Sequence, residues 1–168
     1  MSEQKKVLIV DDSRVIHTMI RDMFSGAQIE ILDAKDGIEG FALIDRERPN
    51  LILLDWLMSK QGGWETFQQI QAHPKLRRIP LVVMSGRKDE VTEKFPEPFA
   101  YFEFLKKPFT REELIAAIKS AKNKIPPVMS PENKILALEQ QITKMQAEIA
   151  HLKRLTADIL VFIQEKVK

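Results

Sequence analysis

Val7-Leu8-Ile9-Val10-Asp11-Asp12-Ser13 sets four consecutive apolar residues in front of two adjacent carboxylates. Apolar residues on successive rather than alternating positions suit a strand covered on both faces, as in a parallel sheet. Four further short apolar runs share the pattern, at residues 29–33, 51–54, 81–84 and 101–105. The stretches between them read as helices at 14–24, 37–46, 64–72, 88–95 and 111–121. In the first of these, Val15, Ile16, Met19, Ile20 and Met23 recur at helical spacing. Before the last, Thr110 stands as N-cap with Glu113 at the capping-box position. Five strands alternating with helices predict an α/β domain over residues 1–124, built on a five-stranded, doubly wound parallel sheet.

The predicted fourth helix is the weak one. Pro96 and Pro98 sit where its later turns belong, and each removes an amide donor and clashes with the preceding turn. About two turns from Lys88 fit before the prolines, with Phe95 as the last residue. Five of the nine phenylalanines crowd into residues 95–109 beside Tyr101, which reads as a core strand plus apolar packing beneath an irregular loop. An aromatic partner-binding surface is the competing use of those rings.

Residues 125–131 form a proline-containing linker around Ile125-Pro126-Pro127-Val128, where the backbone is driven extended. Ser130-Pro131-Glu132 then starts a helix over 132–168 with an N-cap, a proline at the first position and an early acid. Heptad a positions fall on Ile135, Ile142, Ile149, Thr156 and Ile163, and d positions on Leu138, Met145, Leu152 and Ile159. Eight of these nine are apolar, which is the pattern of a coiled coil. Isoleucine at a with leucine at d favours a parallel dimer, and Glu148 would face Lys153 across it. Residues 132–163 are therefore expected to drive homo-oligomerisation; a helix folded back on the α/β domain is the alternative.

Charge excludes several roles. The chain of 168 residues carries 26 basic and 24 acidic side chains, a net charge of +2, so it lacks the electrostatic footprint of a nucleic-acid binder. A basic-region coil would need clustered cations ahead of the heptads, and residues 125–134 hold only Lys134. The absence of cysteine excludes disulfides, cysteine zinc sites and thiol catalysis. With a polar N-terminus and no apolar run of about 18 residues, the expected location is the cytoplasm, with no membrane contact.

Chemistry concentrates at the strand ends. Asp11 and Asp12 close the first strand, Asp55 the third, Ser85 the fourth and Lys107 the fifth. In a doubly wound sheet, ligands bind beyond the carboxyl ends of the strands, so these sequence-distant groups converge there. Clustered carboxylates need a cation, and an all-oxygen site suits Mg²⁺. A metal, a nucleophilic carboxylate, a hydroxyl and a fixed ammonium are what phosphoryl transfer requires. His17, His73 and His151 are too scattered for a metal site or a triad.

Through Val-Asp-Asp-Ser at 10–13, Asp55 after Leu-Ile-Leu-Leu, Ser85-Gly86 and Lys107-Pro108-Phe109, the chain resembles the receiver domain of two-component response regulators over residues 5–123. The resemblance implies a flavodoxin-like fold and phosphorylation of Asp55 by a histidine kinase or phosphotransfer protein. It implies Mg²⁺ held by Asp12, Asp55 and the backbone carbonyl of Leu57, with Asp11 acting mainly through water. Ser85 would bond the phosphoryl group and move inward, Lys107 would pair with it, and Phe104 matches the aromatic switch position. No separate substrate is implied: self-phosphorylation and autodephosphorylation are the only chemistry. Ser59 and Gln61-Gly62 replace residues the family usually carries after the phosphoacceptor, so a more mobile loop is expected there. The rival reading is a phosphorylation-independent adaptor that uses the receiver fold as a docking platform on a coiled-coil dimer.

Overall fold

The structure, a computed structural model, describes residues 4–95, 97–124, 142–143 and 145–157. The chain divides into two compact units, Met1–Pro126 and Pro127–Lys168. In the first, the order is β1 (Lys5–Val10), α1 (Arg14–Met23), β2 (Ile29–Ala34), α2 (Gly37–Glu47), β3 (Leu51–Asp55) and α3 (Gly63–Ala72). A 3₁₀ turn at Leu76–Arg78 leads into β4 (Leu81–Ser85), α4 (Lys88–Thr92), β5 (Glu103–Lys106) and α5 (Arg111–Asn123). The five strands pair in parallel in the order β2-β1-β3-β4-β5. The expected doubly wound sheet is therefore present, with strand order reversing between β1 and β3.

Side chains alternate across the sheet into two cores. Leu8, Val10, Ile52, Leu54 and Val83 pack with Ile44, Phe67 and Ile70 on one face. Val7, Ile9, Leu53, Val82 and Met84 pack with Ile20, Leu114 and Ala117 on the other. Burial of both strand faces explains why β3 and β4 read as unbroken apolar runs. The α5 capping box forms as expected: Glu113 N donates to Thr110 Oγ1 at 3.2 Å, and Thr110 N donates to Glu113 Oε2 at 2.7 Å.

Two elements differ from expectation. α4 spans five residues, Lys88–Thr92, and does not reach Phe95. Thr92 Oγ1 donates to the Asp89 carbonyl at 2.9 Å, and the chain turns out so that Phe95, Phe99 and Phe102 pack against the core. β5 begins at Glu103, opposite Val82, and not at Tyr101. Tyr101 is 54% exposed, and Phe102 is buried as a loop residue ahead of the ladder. The crowded rings are thus mostly core: Phe95 meets Phe67 edge-on at 4.9 Å, and Phe99 stacks on Phe102 at 4.8 Å.

In the second unit, residues 142–143 and 145–157 are helical. Ile142, Met145, Ile149 and Leu152, all at heptad a and d positions, are 49–60% exposed. The linker at 125–131, the helix start at Ser130 and the seam positions Ile135, Leu138, Ile159 and Ile163 lie outside the described residues. Among the described residues, no helix is long and apolar enough to cross a membrane.

Candidate functional site

Asp55 and Ser85 close β3 and β4, Asp11 and Lys107 directly follow β1 and β5, and the ladder continues one residue past the ends of β1, β3 and β5. Asp11 N donates to the Ala34 carbonyl at 3.0 Å, Trp56 N to Met84 O at 2.9 Å, and Lys107 N to Ser85 O at 2.9 Å. These bonds hold the backbone at the rim, so the side chains are aimed by the sheet. Asp11, Asp12 and Asp55 converge, with one carboxylate oxygen from each lying within 4.8 Å of the others. Asp11 and Asp55 are buried and Asp12 is exposed. Lys107 Nζ sits 2.6 Å from Asp11 Oδ2 and 2.9 Å from Asp55 Oδ1. Asp11 thus makes a direct ion pair with the lysine, beyond the water-mediated part the resemblance implies.

The charge balance defines what the site can take. Burial pushes the Asp55 carboxyl above the usual carboxylate range; Lys107 opposes this, and the Asp11 charge adds to it. Burial disfavours the Lys107 ammonium, but its bonds to Asp11 and Asp55 more than compensate and hold its pKa up. Three ionised carboxylates against one ammonium leave two negative charges, which a divalent cation cancels. The oxygen-only donor set, one face of it exposed through Asp12, fits Mg²⁺.

Ser85 closes β4 and Phe104 lies within β5. Arg87 N donates to Ser85 Oγ at 3.1 Å, and the hydroxyl lies 3.3 Å from Arg87 O, so Ser85 is engaged with its own turn. Phe104 is half-buried, 6.0 Å from Phe99, with Lys88 Nζ 5.9 Å above its ring. Leu57 is 43% exposed.

The loop after β3, expected to be loosened, is tied down. Gln61 O accepts from Gly37 N at 3.1 Å, and Gln61 Nε2 donates to Gln69 Oε1 at 2.8 Å and to Thr66 Oγ1 at 3.3 Å. A Cβ on Gly37 would lie 2.1 Å from Thr66 Oγ1, so only glycine admits this approach. At the end of the loop, Gly63 N bonds Trp56 O at 3.1 Å, and a Cβ there would fall 2.5 Å from the Asp55 carbonyl. Ser59 N donates to Asp12 Oδ2 at 3.2 Å, joining the loop to the acidic pair. The sequence carried no signal for this network, because its partners come from α2 and α3.

A parallel sheet of this order gathers three carboxylates and a lysine at its carboxyl edge, the arrangement of a doubly wound α/β domain with a cation-ready acidic site. Residues 7–119 match the response regulator receiver domain family, and the chain belongs to it. It is a receiver domain, the aspartate-phosphorylated module of two-component response regulators. Protein PilG of Pseudomonas aeruginosa is 27% identical over 71% of this chain and 88% of its own length. Response regulator MprA of Mycobacterium sp. (strain KMS) is 31% identical over 78% of this chain and 56% of its own. The chain thus spans about half the length of MprA and of the probable transcriptional regulator ycf27 of Porphyridium aerugineum, at 56% and 53%. Among solved structures, chemotaxis response regulator CheY4 of Vibrio cholerae superposes with a TM-score of 0.61 at 27% identity, covering 71% of this chain and 99% of that one. The receiver domain of sensor histidine kinase PA1611 from Pseudomonas aeruginosa, at 23% identity and a TM-score of 0.62 over 72% and 99%, shares the fold and has a magnesium ion coordinated in its active-site cleft.

Proposed function

We propose that this chain is a phosphorelay response regulator in which Asp55 accepts a phosphoryl group from a histidine kinase or phosphotransfer protein, and which signals through protein–protein contacts. The observation that carries this reading is the convergence of Asp11, Asp12 and Asp55 with Lys107 Nζ 2.9 Å from Asp55. Mg²⁺ would be held by Asp12, Asp55 and the Leu57 carbonyl, with Asp11 beside it, and would supply neutralisation of the phosphoryl oxygens. The ionised Asp55 carboxylate attacks phosphorus; an O–P bond forms, the P–N bond to the donor imidazole breaks, and the imidazole leaves with the electron pair. Lys107, already fixed by two carboxylates, pairs with the incoming phosphoryl oxygens. The Ser85 hydroxyl exchanges its bonds with Arg87 for one to the phosphoryl group, and Phe104 repacks as that turn moves.

The C-terminal helix supplies self-association as a parallel dimer through 132–163. Its support is the exposed apolar seam at Ile142, Met145, Ile149 and Leu152, since such a face loses about 25 cal/mol per Å² while it stays in water. The module acts in the cytoplasm, without nucleic acid or membrane. Trp56, buried beside Asp55 and edge-on to Trp64 at 6.2 Å, is the built-in reporter. Beryllofluoride with Mg²⁺ should change its fluorescence in the wild type and not in Asp55→Ala. An equal response in both proteins would reject Asp55 as the acceptor. Full activity of Asp55→Asn in cells would instead favour the adaptor reading.

A further inference from the structure

The geometry points to His17 as a positioning residue for the acidic pair, an inference that rests on the metal-site reading above and deepens it. His17 lies on α1, and its ring bridges the end of β1 to β2. Nε2 is 2.7 Å from the backbone oxygen of Asp11, and Nδ1 is 2.8 Å from Asp33 Oδ1. A carbonyl and an ionised carboxylate both only accept, so Nε2–H donates in the first bond and Nδ1–H in the second. Arg21, one turn further along α1, binds the other Asp33 oxygen, so the carboxylate that orients the ring is itself held. The His17 side chain is only 13% exposed and its bond to the Asp11 carbonyl is partly buried, while the Asp33 bond lies at the surface.

The bonded carbonyl belongs to the peptide plane that joins Asp11 to Asp12. Because that plane is rigid, holding its oxygen restrains ψ of Asp11 and φ of Asp12, the two torsions that aim the pair. Other contacts act elsewhere on Asp11: its amide donates to Ala34 O at 3.0 Å, and its Oδ1 accepts from Ser13 N at 2.9 Å. His17 therefore secures the one peptide between the two acids, against the repulsion of carboxylates within 4.8 Å of each other. It touches neither phosphoryl group nor metal and acts through the backbone. Groups that orient metal ligands in this way typically change affinity by about 10–100-fold when removed.

The test compares His17→Phe, which keeps a ring without donors, with His17→Gln, whose side-chain amide can still donate to the carbonyl. Mg²⁺ affinity is read from tryptophan fluorescence, and amide hydrogen exchange at Asp12 and Ser13 is read in metal-free protein. His17→Phe should weaken Mg²⁺ binding about tenfold and speed that exchange, while His17→Gln restores most of both. Wild-type Mg²⁺ affinity in His17→Phe, or equal damage by the two substitutions, would overturn the assignment. Unchanged metal-free exchange in His17→Phe refutes this inference alone. A wild-type protein without any Mg²⁺ response refutes the metal-site reading, and the inference with it.

Discussion

Replacing Asp55 with Asn should make the metal-free protein more stable, because the site is built for a charge it does not itself contain. Asp55 lies within 4.8 Å of two other carboxylates and 2.9 Å from one ammonium. At an effective dielectric of about 20, each repulsion at that limiting separation is worth at least about 3.5 kcal/mol and the attraction about 6 kcal/mol. Removing the charge therefore gains on the order of 1 kcal/mol, and relief of burial, the largest cause of the raised Asp55 pKa, acts in the same direction. Asn keeps the volume and can still accept from the two groups that bond the Asp55 carboxylate, the Leu57 backbone N–H and Lys107 Nζ. For a domain of this size the gain corresponds to a rise in Tm of about 4 °C. The pH dependence follows from the sign of the shift. A carboxyl whose folded pKa is raised costs nothing while protonated in both states, and its penalty grows as pH climbs from the unfolded value through the folded one. The difference between Asn and wild type should thus be small near pH 4 and full at pH 7.5, in EDTA. Added Mg²⁺ should stabilise the wild type more than the variant. An Asp55→Asn protein less stable than wild type at pH 7.5 in EDTA would refute the charge accounting.

Other substitutions test the surrounding frame. Gly63→Ala would put a Cβ 2.5 Å from the Asp55 carbonyl and 2.6 Å from Trp56 Cα, both backbone atoms, so thermal unfolding should show a loss of about 1–3 kcal/mol together with weaker Mg²⁺ binding. Thr110→Ala removes the 3.2 Å cap on Glu113 N and should cost about 1 kcal/mol while leaving the beryllofluoride response intact. Ile149→Asp combined with Leu152→Asp places charges in the seam; light scattering should show a dimer become a monomer, with the receiver Tm unchanged. A wild-type monomer under the same conditions would contradict the coil.

What could be read in advance follows the physics of the sheet. Strands buried on both faces leave continuous apolar runs, so β3 and β4 were legible within a residue of their ends, while β1 begins two residues earlier, at the polar Lys5-Lys6. The rule that strand ends share one rim then brought Asp11, Asp12, Asp55 and Lys107 together across most of the domain. The aromatic run before β5 misled because Phe102 is as buried as a strand residue while sitting in the loop ahead of it. α4 was overestimated because Phe95 extends the apolar pattern, although its ring packs from a turn and not from a helix. The contacts of His17 and Gln61 were not legible for a different reason. Their partners are the Asp11 carbonyl and Asp33 for one, and Gly37, Thr66 and Gln69 for the other, contacts between elements that no local spacing encodes.

Chemical mapping of the phosphorylated residue tests the central claim most directly. Full-length protein is incubated with radiolabelled acetyl phosphate and Mg²⁺, and the acyl phosphate is reduced with borohydride before peptide mapping. The account predicts label and reduction at Asp55, both lost in Asp55→Asn and both requiring Mg²⁺. Equal labelling of Asp55→Asn, or reduction mapped to a residue outside the strand-end cluster, would contradict it.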